Sequence, residues 1–143
     1  MRVVFDTVVF VCALISPYGW CGRLLFDHAA YQLVVSAPVV TEYLDVLRRP
    51  ELVRKYRSIA GRDAHAVLDL IANAVVVHPT ETPPVCRDPE DDKFLAAAAV
   101  GNAAFIVSED TDLLVLKRHE RIAIVDVEAF LQVVQARRAN AGS

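Results

Sequence analysis

Two short stretches place carboxylates where a parallel sheet would deliver them together, and a third crowds acids at the start of a helix. Asp6 closes the apolar run Val3-Val4-Phe5, Asp110 and Asp112 follow Ile106-Val107-Ser108, and Asp88, Asp91 and Asp92 crowd the segment "DPEDDKF". An unpaired charge inside a core carries a large penalty, so each acid belongs at a strand end or beside a compensating group. Acids gathered in one cleft repel and titrate high unless cations neutralise them. Carboxylate oxygens are the preferred ligands of Mg²⁺ and Mn²⁺. A set of acids with no partnered His or Cys therefore points to metal-assisted phosphate chemistry, in which an ion activates water and stabilises a leaving oxygen.

The chain that must position these acids has 143 residues, of which 55% are hydrophobic and 23% charged. That length and composition suit one folded domain, expected over residues 1–138 with a short tail at 139–143. No apolar run reaches the roughly 18 residues a bilayer span needs. Cys12, Cys21 and Cys86 are odd in number and form no CxxC pair, which favours reduced thiols and a cytoplasmic setting. His28, His65, His78 and His119 are scattered without ligand spacing. Although the net charge is −3, Arg48, Arg49, Arg54, Lys55, Arg57 and Arg62 concentrate basic charge in one segment. Such a cluster suits phosphate contacts or the solvated face of helices.

Strand and helix signals alternate along the chain. Short apolar runs at 2–6, 33–36, 74–78, 104–108 and 122–126 read as strands. Helices are expected at 20–31, from Pro38 to about Leu47, after Pro50, at 62–73, from Asp88 to Gly101, and at 127–138. In the second of these, Val40, Tyr43, Leu44 and Leu47 share a face. Asp88 can cap the fifth, with Pro89, Glu90 and Asp91 suited to its first turn. Asp92 falls on one face with Leu95, Ala96 and Ala99, an awkward place for a structural charge, although Phe94 and Ala98 make this helix apolar nearly all round. Short strands between helices imply an α/β domain with a mainly parallel sheet. In such sheets ligands bind outside the carboxyl ends of the strands, where Asp6, Asp110 and Asp112 stand.

The order and spacing of "VVFDTVVFVCALI", "SAPVVTEYLDVLRRPELV" and "CRDPEDDKFLAAAAVGNAAFIVSEDTDLLVL" resemble PIN-domain ribonucleases of the VapC-like kind, toxin components of toxin–antitoxin systems. The resemblance implies a three-layer α/β/α sandwich with a central sheet of about five strands. It also implies Mg²⁺- or Mn²⁺-dependent RNA cleavage, with a cognate antitoxin as protein partner, a homodimer as an allowed assembly and no membrane. Carried over by position, Asp6, Glu42, Asp92 and Asp110 match the family's catalytic, metal-binding acids, and Asp112 an accessory acid. Thr7 and Ser108 match supporting polar residues, and RNA is expected along Arg48, Arg49, Arg54 and Lys55.

One position departs from the family pattern. Val8 stands where Asn usually follows "Asp-Thr", and it offers no donor or acceptor. If the first strand continues to residue 8, Val8 shares a face with Asp6. Two other functions are compatible with these residues. A PIN scaffold that binds RNA or protein without cleaving it fits Val8. A phosphatase with an Asp nucleophile would want a second Asp two residues on, where Val8 stands, and a lysine for which Lys93 is the candidate.

Overall fold

In a computed structural model, residues 1–15, 21–51 and 69–141 are described. Their strands are β1 (Arg2–Phe5), β2 (Gln32–Ser36), β3 (Val75–Val77), β4 (Phe105–Val107), β5 (Arg118–His119) and β6 (Ile122–Val125). Helices are α1 (Thr7–Ile15), α2 (Arg23–Phe26), α3 (Ala37–Leu47), α4 (Asp92–Val100), α5 (Thr111–Leu114) and α6 (Val127–Ala141), with 3-10 turns at His28–Ala30 and Pro89–Asp91. The strands form one sheet in the order β3-β2-β1-β4-β6-β5. All pairings are parallel except β5 with β6.

Register and the two-residue side-chain period show how the layers form. Val3 pairs with Phe105 and Phe5 with Val107, so these four side chains share a face. Phe130 of α6 packs edge-on against Phe5 and Phe105 there, and Tyr31 joins the same aromatic group. Leu33 pairs with Val3, which puts Val34 on the opposite face. There Gly101, at the end of α4, approaches so closely that a Cβ would meet Val34 Cγ1 at 2.5 Å. Helices α6 and α4 thus cover opposite faces, the α/β/α layering expected. Arg138 reaches back from α6 to the buried Asp27 at 2.7 Å.

Several details correct the sequence reading. The first strand stops at Phe5 and α1 begins at Thr7. Asp6 caps that helix: its Oδ1 accepts from Val9 N at 2.8 Å and its carbonyl from Phe10 N at 3.0 Å. Val8 therefore lies in the first turn of a helix, 65% exposed, and shares no strand face with Asp6. Burial overrides the poor helix propensity of its β-branched residues. The helix expected at 20–31 is broken into α2 and a 3-10 turn, where Tyr31 Oη bonds Leu24 O as the chain turns into β2. On α3 the buried residues are Val39 and Tyr43, whereas Leu44 is exposed.

The two-residue strand β5, whose polar residues carry no strand pattern, makes the sheet six-stranded rather than five. Helix α6 runs to Ala141, past the expected end at 138. Most of the helices expected after Pro50 and over 62–73, with Arg54, Lys55, Arg57 and Arg62, lie outside the described residues. Cys12, Cys21 and Cys86 are free thiols.

Candidate metal centre

The parallel order places the carboxyl ends of β1 and β4 side by side, and both strands end in acids. Beyond β4, Ser108 is the pivot. Its hydroxyl donates to Asp6 Oδ2, and its Oγ accepts from Asp110 N at 2.9 Å. One side chain so joins the end of β1 to the loop that carries the next two acids. Asp110 caps α5, its Oδ1 accepting from Asp112 N at 2.9 Å. That bond fixes Asp110 and Asp112 as neighbours.

The third contributor is Asp91. Carboxylate oxygens of Asp91, Asp110 and Asp112 all lie within 4.8 Å of one another. Asp91 is 9% exposed, and its Oδ2 is buried with no hydrogen-bond partner. Burial pushes its carboxyl up to about 7, with the charges of Asp110, Asp88, Asp6 and Asp112 adding to the rise. Asp6 is likewise pushed up to about 6 by burial, against the pull of Ser108 and the backbone amides of Val9 and Glu109. An orphaned, buried carboxylate oxygen facing two more acids is a strained arrangement that a cation relieves. An all-oxygen donor set suits a hard divalent ion.

Asp92, the sequence choice for the third acid, turns elsewhere. Its Oδ1 accepts from Val85 N at 3.0 Å and Cys86 N at 2.7 Å, clipping the 85–86 loop to the start of α4. Burial raises its carboxyl, but these amides and the Cys86 thiol outweigh burial and hold it below the usual range. The face it shares with Leu95, Ala96 and Ala99 exists, and lines a recess with Thr80, Glu81, Val85 and Glu120 that Asp91, Asp110 and Asp112 do not line. Asp91 instead falls in register with Phe94 and Ala98. Because α4 is apolar on both faces, two adjacent acids fitted the pattern. Asp88 is the cap expected, accepting from Glu90 N at 3.0 Å.

Glu42 lies off the face shared by Val40, Tyr43, Leu44 and Leu47, with its side chain 30% exposed. Thr7 Oγ1 donates to its Oε2, and Lys93 Nζ stands 2.6 Å from its Oε1. Thr7 thus hydrogen-bonds Glu42 as Ser108 does Asp6. Val8 borders a shallow groove with Thr7, Val11, Glu42, Val46 and Arg49. Arg48 and Arg49 are exposed beside it. Arg87 approaches Asp112 from solvent, 3.7 Å away.

Residues 2–112, from β1 through the Asp110 and Asp112 loop, match the PIN domain family. The chain belongs to the PIN-domain family. A relative of this chain, the uncharacterized protein MJ1680 of Methanocaldococcus jannaschii, is 30% identical over 119 residues, 82% of this chain and 76% of that protein. The fold is also that of a chain in the crystal structure of VapBC2 from Rickettsia felis bound to a DNA fragment from their promoter. That match has a TM-score of 0.53 at 12% identity, covering 88% of this chain and 98% of the other. Every acid of the centre falls within the matched PIN segment.

Proposed function

We propose that this PIN domain is a Mg²⁺- or Mn²⁺-dependent endoribonuclease, acting as the toxin of a toxin–antitoxin pair. The observation that carries the reading is Asp91, with a buried, unpartnered Oδ2, brought within 4.8 Å of Asp110 and Asp112 through its carboxylate. Those three acids, with Asp6 beside them, would hold the ion. A divalent ion there supplies Lewis-acid stabilisation of charge on the scissile phosphate and a nucleophile at neutral pH.

The chain's own groups set up that chemistry. Ser108 and the Val9 amide fix both oxygens of Asp6, so its charge cannot turn away from the cluster. The Asp110 cap locks the loop that carries two donors. Asp91 enters from the 3-10 turn ahead of α4, where packed Phe94 and Leu95 hold the backbone. The exposed Arg48 and Arg49 offer phosphate contacts for RNA, in line with Arg54 and Lys55 further along the chain. The likeness in fold to a VapBC chain and the sequence resemblance support an antitoxin partner, and the unpaired cysteines support a cytoplasmic setting; no described helix is long and apolar enough to cross a membrane.

Cleavage of a mixed RNA pool with and without Mn²⁺ tests this function, with Asp6→Asn and Asp91→Asn as controls. Metal-dependent fragments lost in both variants are expected. Intact RNA at saturating Mn²⁺, from a protein that still binds the pool, would favour the non-cleaving scaffold to which Val8 points.

A further inference from the structure

The acids at this sheet edge fall into two groups with different electrostatic partners. Among the described residues, no lysine or arginine reaches Asp91 or Asp110, and Arg87 touches Asp112 only from solvent. Glu42 is the reverse case. Its Oε1 is paired with Lys93 Nζ at 2.6 Å and its Oε2 with the Thr7 hydroxyl. The Lys93 side chain is only 16% exposed, and its ammonium also reaches Glu90 Oε2 at 3.4 Å and sits 5.8 Å from the Phe94 ring centroid. Asp92, one residue earlier, anchors the same turn of α4 to the 85–86 loop. The ammonium is therefore held in place from several sides.

We infer that the Lys93 ammonium stands in for a second cation beside Glu42, so that this centre takes a single divalent ion at Asp91, Asp110 and Asp112. The inference rests on reading that cluster as a metal site. Both oxygens of Glu42 are already engaged, one by a full positive charge. A second divalent ion at Glu42 would have to displace a largely buried ammonium or sit against it, and like charges in a poorly solvated site repel strongly. Lys93 acts through Glu42 and is a positioning residue. It neutralises the acid on α3 while leaving the Asp91 group open to the ion.

The stoichiometry of Mn²⁺ binding, counted from the paramagnetic signal of the free ion during titration of the full chain, tests this directly. The native protein and Lys93→Arg are expected to bind one ion. Lys93→Met is expected to bind two, and the double variant Lys93→Met with Glu42→Gln to return to one. Two ions on the native chain, or a folded Lys93→Met that binds one, overturns the inference. Should Lys93→Met not fold, Glu42→Gln decides. Unchanged affinity for one ion supports the inference, and a loss of about tenfold or more, the effect of disturbing a ligand set, places Glu42 among the ligands and overturns it. A native chain that binds no Mn²⁺ overturns the metal-site reading itself, an outcome distinct from binding two.

Discussion

At the residue scale, adjacent Asp91 and Asp92 do opposite work, and their variants should separate cleanly. Asp92→Ala removes the acceptor for two loop amides and should cost about 1–3 kcal/mol of stability, while metal binding by Asp91, Asp110 and Asp112 persists. Asp91→Asn should stabilise the metal-free protein at pH 7.5 and abolish the response to Mn²⁺; thermal melts of both variants check the pair. The pH dependence has a definite sign. Asp6 and Asp91 titrate at about 6 and about 7 when folded, above their ordinary values, mainly because they are buried. A raised carboxyl contributes stability below its unfolded pKa, near 3.9, and loses that contribution as pH rises through the folded value. Metal-free protein should lose stability from about pH 4 to pH 7. Asp91→Asn should flatten much of that fall, gaining on the order of 1 kcal/mol at neutral pH, or about 4 °C in melting temperature. A metal-free melting curve that rises across this window would contradict the burial of these charges.

Two elements set the geometry of the site. Helix α1 starts at Thr7 because Asp6 caps it, so one residue serves as strand end, cap and acid of the cleft. This puts Val8 in an exposed first turn beside Glu42 rather than under the acids. Val8→Asn should then change stability by less than about 0.5 kcal/mol, as for other surface substitutions. It should also raise metal-dependent RNA cleavage by adding a polar group at the groove. Equal or slower cleavage by the folded variant would show that position 8 does not limit the reaction. Helix α4 depends on Gly101, whose missing Cβ lets the helix end meet Val34 of β2. Gly101→Ala should destabilise by about 1–3 kcal/mol through overpacking against a stiff, buried β-branched side chain. Urea unfolding measures this, and an unchanged midpoint would mean that α4 shifts without cost.

On the scale of the whole molecule, acids from distant parts of the chain meet because the sheet order puts β1 beside β4. The candidate ligands come together only in the folded state, so ion binding there would be linked to folding. Saturation at about 100 times Kd should add about 2.7 kcal/mol, read as a rise in melting temperature with Mn²⁺. Asp92→Ala should show the same rise from a lower baseline, and Asp91→Asn none. A native melt insensitive to Mn²⁺ would count against a preformed site.

The five apolar strands, the mainly parallel topology and the strand-end placement of Asp6, Asp110 and Asp112 were legible in the sequence, because β-branched runs and acid positions are local signals. The hydrogen bonds of Thr7 to Glu42 and of Ser108 to Asp6 join residues that the family pattern had singled out. Other features were decided only in three dimensions. The polar pair Arg118 and His119 becomes a strand through pairing with β6, which no local propensity announces. Val8 left the strand because the Asp6 side chain captured the Val9 amide. A helix apolar on both faces admits Asp91 or Asp92 equally, and the loop amides of Val85 and Cys86 settled which acid was taken and which was left facing Asp110.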